Sequence, residues 1–254
     1  MGKFHIRPEA VNESRVVFDD EETRHLTRVL RLGPGDLVQA VDGRGTEYTV
    51  RLESAGGRAA QGTILCRSVQ RIESPLSITL AQGIPKGDKM EWIVKTVTEL
   101  GATRIVPLLT RRCVVRIQQG RERERRWQRV AKEAAKQSGR SVIPVVGVPR
   151  TLDEFLAERP AADLGVCLWE RERRGLRELL EAVGRPVTSA LLVVGPEGGL
   201  APDEVDALKT AGLESAGLGP RILRTETAAP VGVALLQSRW GDLGGHLPGG
   251  ETIS

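Results

Sequence analysis

The stretch "LLVVGPEGGLAPDEV", Leu191–Val205, sets the frame for the whole chain. A continuous apolar run reads as a strand buried on both faces. Three glycines bracket Glu197, and then Pro202, Asp203 and Glu204 open a helix. Proline fits the first helical position, and the two acids complement the helix dipole. Strand, glycine turn and helix in this order are the units of a parallel sheet. Loops at the carboxyl ends of such strands are where ligands bind.

The loop is nevertheless a poor phosphate cradle. A dinucleotide loop requires GxGxxG, and a P-loop requires GK[ST]. Here the spacing is G-P-E-G-G. Pro196 removes one N–H donor and Glu197 would repel an anion. A plain tight turn would explain "APDE" but not three glycines around a glutamate.

Outward from this loop, the same rhythm extends from Ser77 onward. "SITLAQG", "RIVPLLT", "VIPVVGV", "DLGVCLWE", "TSALLVVG" and "SAGLG" read as strands alternating with helices. In "DKMEWIVKTVTELG", Met90, Ile93, Val94, Val97 and Leu100 share one helical face. The first seventy residues differ. Short strand-like runs ("LVQAVDG", "TEYTVRLE", "GTILCRSVQ") lie between glycine turns, and one helix-like piece, "DEETRHLTRVLRLG", runs to Gly33. They predict a small β-barrel over residues 1–72, joined through "RIESP" to an α/β domain over 73–243. Residues 244–254 are glycine-rich and predict a flexible tail.

The 254 residues suffice for a substantial core. No apolar run has membrane-spanning length and "MGKFHIRPEA" lacks a secretory h-region, so the expectation is a cytoplasmic protein that engages no membrane. Cys66, Cys113 and Cys167 form no CxxC pair. A structural zinc is not expected, and all three read as buried small hydrophobes. Net charge is +4, but residues 71–150 hold 17 basic against 7 acidic residues, with 20 against 26 elsewhere. A confined basic block points to a polyanion, most often nucleic acid. Thirty of the 37 basic residues are arginine, which suits phosphate contact, although GC-rich coding produces the same bias.

Two further junctions follow strand-like pieces. "LGPRILRTETAAP", Leu218–Pro230, follows a strand and opens a helix. Thr225 or Thr227 can cap that helix, and Arg224 with Glu226 can be a plain surface pair. "CLWERE" offers Trp169 and Glu170. Three junctions with glycine or acid and no phosphate signature suit a ligand without phosphate. S-adenosylmethionine, a sulfonium cation, has that chemistry.

"GPEGG" followed by "LGPRILRTETA" resembles the SPOUT-class RNA methyltransferases. With "HLTRVLRLGPGD", "KGDKMEWIVKTVTELGATRIVPLLTRR" and "RWQRVAKEAAKQSGRSVIPVV", nearly the whole chain is similar to the ribosomal RNA small subunit methyltransferase E family. The resemblance implies a PUA-like N-terminal barrel and a SPOUT-type parallel sheet with a trefoil knot. It also implies a homodimer, and methylation of N3 of a uridine in the decoding region of 16S rRNA in the small ribosomal subunit. It implies cofactor contacts from Leu168, Trp169 and Glu170, and from Gly195, Pro196, Glu197, Gly198 and Gly199. Leu218, Gly219, Pro220, Ile222, Leu223, Arg224, Thr225 and Thr227 would supply the remainder. Arg224 would stabilise a uracil anion; Glu226 or Glu197 would take the N3 proton or position a water.

The helix "RERERRWQRVAKEAAKQSGR" carries an apolar face of Trp127, Val130, Ala131 and Ala134. Its basic stripe of Arg125, Arg129, Lys132 and Lys136 is either a solvated face with i,i+4 pairs or, with the resemblance, an RNA track. Arg7, His25, Arg28, Arg31 and Lys86 are further RNA candidates. Two departures from the family stand out. Ala201 occupies a position where serine is common, and a lost cap costs about 1 kcal/mol. Pro230 is harmless if Thr227 is the cap and deletes a helical hydrogen bond if Thr225 is.

Overall fold

The computed structural model describes residues 3–55, 59–69, 73–114 and 120–245. They form two compact units, one of residues 1–73 with 135–143, the other of 74–134 with 144–254.

The first unit is a curled six-stranded sheet in the order β1-β4-β5-β6-β3-β2. Its strands are β1 (Lys3–His5), β2 (Val11–Asn12), β3 (Arg15–Val17), β4 (Leu37–Val41), β5 (Thr46–Ser54) and β6 (Gln61–Val69). Among the described residues β1 and β2 are the two ends of the sheet order, so the sheet does not close into a full barrel there. Phe4, Phe18, Leu26, Val38, Val50 and Leu52 fill its concave side. β1, β2 and β3 were not expected from sequence, because two- and three-residue strands show no alternation.

The helix expected over 20–33 is shorter and irregular. Asp19 caps α1 (Asp20–Arg24), accepting from the N–H groups of Glu21 (3.1 Å) and Glu22 (2.9 Å). The backbone then widens into a π turn over His25–Val29, and Arg31 takes a left-handed φ of 57°. The helix is therefore over before Gly33, whose N–H donates to Asp36 (2.8 Å).

A division drawn along the sequence leaves 135–143 outside this unit. In the structure they pack within it, held by Glu73. That carboxylate accepts from Arg140 (2.7 and 3.1 Å) and from the N–H groups of Ser141 and Val142 (3.0 and 3.1 Å). Of the expected linker, Glu73 thus anchors structure, while Arg71 and Ile72 lie outside the described residues. Of the tail expected from 244, only residues 244 and 245 are described.

The second unit is built on a parallel sheet ordered β10-β8-β7-β12-β11-β13, with β9 also paired to β8. The strands are β7 (Ser77–Gly83), β8 (Ala102–Leu109), β9 (Val145–Val146), β10 (Arg150–Thr151), β11 (Leu164–Leu168), β12 (Ser189–Val194) and β13 (Glu214–Ala216). "VIPVVGV" and "SAGLG" contribute only short strands, shorter than their apolar content suggests.

Alternation along the strands feeds two cores. Ala190, Leu192 and Val194 of β12, with Ile78 and Leu80 of β7, pack under α2 (Lys89–Glu99), α5 (Leu176–Ala182) and α7 (Thr225–Trp240). Leu191, Val193 and Cys167 face the opposite layer, α4 (Leu152–Glu158) and α6 (Pro202–Thr210). Both faces are covered, which is why β12 reads as an unbroken apolar run. Of the three cysteines only Cys167 is fully buried; Cys66 is exposed on β6 and Cys113 is half-buried, contrary to expectation. Burial pushes the Cys167 thiol up to about 11.

Among the described residues, no helix is long and apolar enough to cross a membrane, and no group of His, Cys, Asp and Glu could hold a metal ion.

Candidate active site

Strand order brings the carboxyl ends of β13, β11, β12 and β7 side by side. The loops leaving them enclose a cavity of about 530 Å³. That is a usual size for a small-molecule site.

The first wall is the loop at 195–199. Its backbone folds back on itself, with the Gly199 N–H donating to Pro196 O (2.9 Å). A Cβ on Gly195 would lie 2.7 Å from the Gly199 carbonyl carbon. Gly199 is left-handed at φ 72°, and its missing side chain leaves room for the Glu170 carboxylate. These two glycines are required by the turn itself. Arg112 Nη1 donates to Gly198 O (2.7 Å).

The second wall is the segment 217–225. It ends on Thr225, which is buried and spans to the first wall. Thr225 Oγ1 donates to Gly195 O (2.6 Å) and accepts from Gln82 Nε2 (2.9 Å) at the end of β7. Neither Thr225 nor Thr227 caps the helix. The N-cap is Arg224, in extended conformation and without a side-chain hydrogen bond, and Thr225 is the first residue of α7. Pro230 therefore lies inside the helix, and Glu226 O lacks the N–H that residue 230 would supply.

At the start of α6 the missing serine is half replaced. Ala201 caps nothing with its side chain, yet Glu204 reaches back to accept its N–H (2.8 Å) and that of Arg111 (2.8 Å).

The third wall is the end of β11. Leu168 is buried, and the Trp169 N–H donates to Ala216 O (2.9 Å). Trp169 Nε1 is buried and has no hydrogen-bond partner among the described residues. The ring packs toward the α4 and α6 layer, with Lys209 Nζ 5.9 Å from its centroid.

Charge collects at the rim. Glu197 Oε1 accepts from the Lys86 N–H and from Lys89 Nζ, both at 3.0 Å. Lys89 Nζ also lies 3.5 Å from Glu226 Oε1, and Arg224 Nη1 lies 4.0 Å from the same oxygen. Partial burial by itself would raise the Glu197 pKa. Hydrogen bonds from its own N–H, Lys89 and the Lys86 N–H outweigh that and hold the carboxyl below its ordinary value. The Lys89 ammonium is raised, first by its hydrogen bond to Glu197.

All the residues expected to hold the cofactor line this cavity except Thr227, which is exposed on the outside of the first turn of α7. Glu226 is behind the lining, in contact with Lys89. Lys89 and Gln82 were missed. "KGDK" is a fourth strand–helix junction on the same edge, but only the pairing of β7 with β12 makes it a neighbour of Glu197.

The RNA candidates do not form one group. Arg7, Arg28 and Arg31 are exposed in the first unit, and Lys86 is exposed just before α2. On α3 (Gly120–Gln137), Arg125 and Arg129 are exposed and Lys132 is half-buried. Arg126 reaches Asp88 and Glu91 rather than Glu122. Lys136 leaves the stripe altogether. It pairs with buried Glu22 (2.9 and 3.0 Å), touches His25 Nδ1 (3.3 Å) and lies over the Phe4 ring. Its charge serves the fold of the first unit, because it pairs with a carboxylate that is 1% exposed.

The cavity combines apolar and charged walls. Leu168, Val194, Leu218, Leu223 and Ala228 give apolar surface, glycines give close backbone approach, and Glu170 and Glu197 stand among Lys89, Arg221 and Arg224.

A family model described as RNA methyltransferase domain matches residues 72–237, and one described as RNA methyltransferase PUA domain matches 18–65. Ribosomal RNA small subunit methyltransferase E of Bacillus subtilis is 36% identical over 214 residues, covering 82% of this chain and 84% of its own. The same-named protein of Neisseria gonorrhoeae, solved bound to S-adenosyl methionine, matches with a TM-score of 0.85 and 34% identity, covering 95% of this chain and 99% of its own. A methyltransferase from Legionella pneumophila, solved in complex with bound S-adenosylmethionine, matches with a TM-score of 0.84 and 31% identity over 95% and 98%. By its matched domains and by relatives similar along most of its length, the chain belongs to the ribosomal RNA small subunit methyltransferase E family.

Proposed function

We propose that this chain transfers a methyl group from S-adenosylmethionine to small-subunit ribosomal RNA, at N3 of one uridine in the decoding region of 16S rRNA. The observation that carries the reading is the cavity at the ends of β11, β12 and β13. It is glycine-lined, rimmed by carboxylates and cations, and closed by the Thr225 tie. The 195–199 and 217–225 walls would hold the cofactor together with the end of β11. In this reading the passage of 217–225 past the end of β12 is the crossing of the family's knot.

When bound, S-adenosylmethionine supplies an electrophilic methyl group, which the N3 lone pair takes as the carbon–sulfur bond breaks towards sulfur. The chain's own residues do the rest. A uracil in its stack is out of reach, so the base is flipped into the site. Alignment of N3 with the methyl carbon contributes much of the rate. A rim carboxylate, Glu226 or Glu197, takes the N3 proton, and Arg224 faces the negative charge that develops on the ring. The phosphate backbone is met by Arg125 and Arg129 of α3 and by Arg7, Arg28 and Arg31 of the PUA unit. The protein acts in the cytoplasm as a homodimer.

The test is direct. Small subunits lacking the modification are incubated with the protein and labelled S-adenosylmethionine, and the product is mapped by mass spectrometry. One N3-methyluridine in 16S rRNA is expected. Label on a transfer RNA or on 23S rRNA would mean another RNA target. No label on any RNA would overturn the reading in favour of a non-catalytic RNA-binding module of ribosome assembly.

A further inference from the structure

Two carboxylates stand at the rim, and the reaction needs only one proton acceptor. Their surroundings differ. Glu197 is satisfied twice, by the Lys86 N–H and by Lys89 Nζ at 3.0 Å each, through one oxygen. Glu226 receives Lys89 only at 3.5 Å and Arg224 only at 4.0 Å. Its second oxygen, Oε2, is buried and has no hydrogen-bond partner among the described residues. A buried carboxylate oxygen without a donor has lost its hydration and gained nothing in exchange. Its other oxygen, Oε1, carries only the two longer ion contacts, and the side chain keeps 19% exposure, so Glu226 is the less engaged acceptor of the two.

Lys89 makes both arrangements at once. It stands at the first residue of α2, while its two partners lie on the loop after β12 and in the first turn of α7. Its side chain is about a third exposed, so the ammonium stays hydrated and charged. The other charged groups around the pair are Arg224 on the segment before α7, Arg221 on the same segment, and Glu170 behind Gly199. Arg112 is spent on Gly198 O, Arg126 is spent on Asp88 and Glu91, and the Lys86 side chain is exposed.

We infer that Lys89 is a positioning residue that divides the work between the two glutamates: Glu197 anchors the ammonium, and the ammonium holds Glu226 Oε1 in place to receive the uracil N3 proton. The inference rests on the methyltransferase reading above and sharpens it. N3 keeps its electron pair as the proton passes to Glu226 Oε1. The pair forms the bond to the methyl carbon, and the proton later leaves to solvent.

The experiment uses the full chain and four variants, Glu226→Gln, Glu197→Gln, Lys89→Met and Lys89→Arg. Single-turnover methyl transfer to unmethylated small subunits is followed against pH. In parallel, carbon-13-labelled glutamate carboxyls are titrated by NMR in the free protein, with the two variants at 197 and 226 assigning the signals. Glu226→Gln should lose about 100-fold in rate, the usual worth of a general base. Glu197→Gln should lose less. Lys89→Met should move the acidic limb of the rate profile to higher pH, with activity returning in base, and should move the Glu226 carboxyl titration the same way. Lys89→Arg should restore both.

A merely structural lysine would lower the rate equally at every pH. That result, an unmoved Glu226 titration, or a Glu197→Gln loss larger than that of Glu226→Gln would overturn the inference. An inactive wild-type protein would instead overturn the methyltransferase reading, and the NMR titration would still decide whether Lys89 governs Glu226.

Discussion

Two lysines of this chain that meet carboxylates do opposite things. Lys136 meets Glu22 in the first unit, where the carboxylate side chain is 1% exposed. Lys89 meets Glu197 and Glu226 at the cavity rim, where it and Glu197 are each about a third exposed. The chemistry of the groups is the same and the dielectric is not. Inside the first unit, losing the lysine strands a charge that water cannot reach. At the rim, water stands ready to replace it, so the pair adds little to stability and is free to be tuned for reactivity.

The widest separation between the two should come from removing each lysine in turn. Lys136→Met should destabilise the first unit by about 3 kcal/mol, as an orphaned buried carboxylate does. Urea unfolding followed by a probe in the first unit would read it. Adding Glu22→Leu to Lys136→Met should recover much of the loss, because no buried charge then remains. Lys89→Met should leave the unfolding midpoint almost unmoved and change the pH–rate profile instead. Equal stability losses for the two lysines would break the comparison.

The contrast also marks what could be read from sequence. Both lysines stood out there only as members of a basic block, and Lys136 was assigned to the RNA stripe because helical spacing put it in line with Arg125, Arg129 and Lys132. Spacing describes one helix; it says nothing about Glu22, which lies 114 residues away. The same gap hid Lys89, 108 residues from Glu197, since their meeting depends on β7 lying beside β12. What was legible is local. The β12 strand, the glycine turn at 195–199, the proline and acids opening α6 and the apolar face of α2 all follow from residues within one element. The short strands β1–β3, the π turn after α1 and the docking of 135–143 in the first unit depend on tertiary contacts and left no periodic trace.

Thr225 extends the comparison to a buried contact with no charge at all. Its hydroxyl joins Gln82 to Gly195 O at 2.9 and 2.6 Å, so two walls of the cavity share one polar atom. Thr225→Val keeps the shape and removes the hydroxyl. It should cost about 2 kcal/mol, since a buried amide N–H and a carbonyl both lose a partner. Cofactor affinity, measured by calorimetry, should fall along with stability. Thr225→Ser should retain most of both. A valine variant with full affinity would show that the walls hold their places without the tie.

The smallest effect belongs to an anchor that is half-buried and strongly hydrogen-bonded. Asp163, just before β11, accepts from the N–H and hydroxyl of Thr188 and from the N–H and hydroxyl of Ser189 at 2.8 to 3.0 Å. The bonds from Thr188, then those from Ser189, hold its carboxyl down to about 2, from an ordinary 3.8. The folded chain therefore takes up this proton less readily than the unfolded one. Its contribution to stability is complete above the ordinary value and drains away as pH falls towards 2. Asp163→Asn should be slightly less stable at neutral pH and should lose less on acidification across that window. Thermal unfolding of both forms at a series of acidic pH values would show the two curves converging. Parallel curves would mean that the four hydrogen bonds serve the asparagine equally well. In that case geometry alone, and not charge, would separate this site from the two lysine clusters.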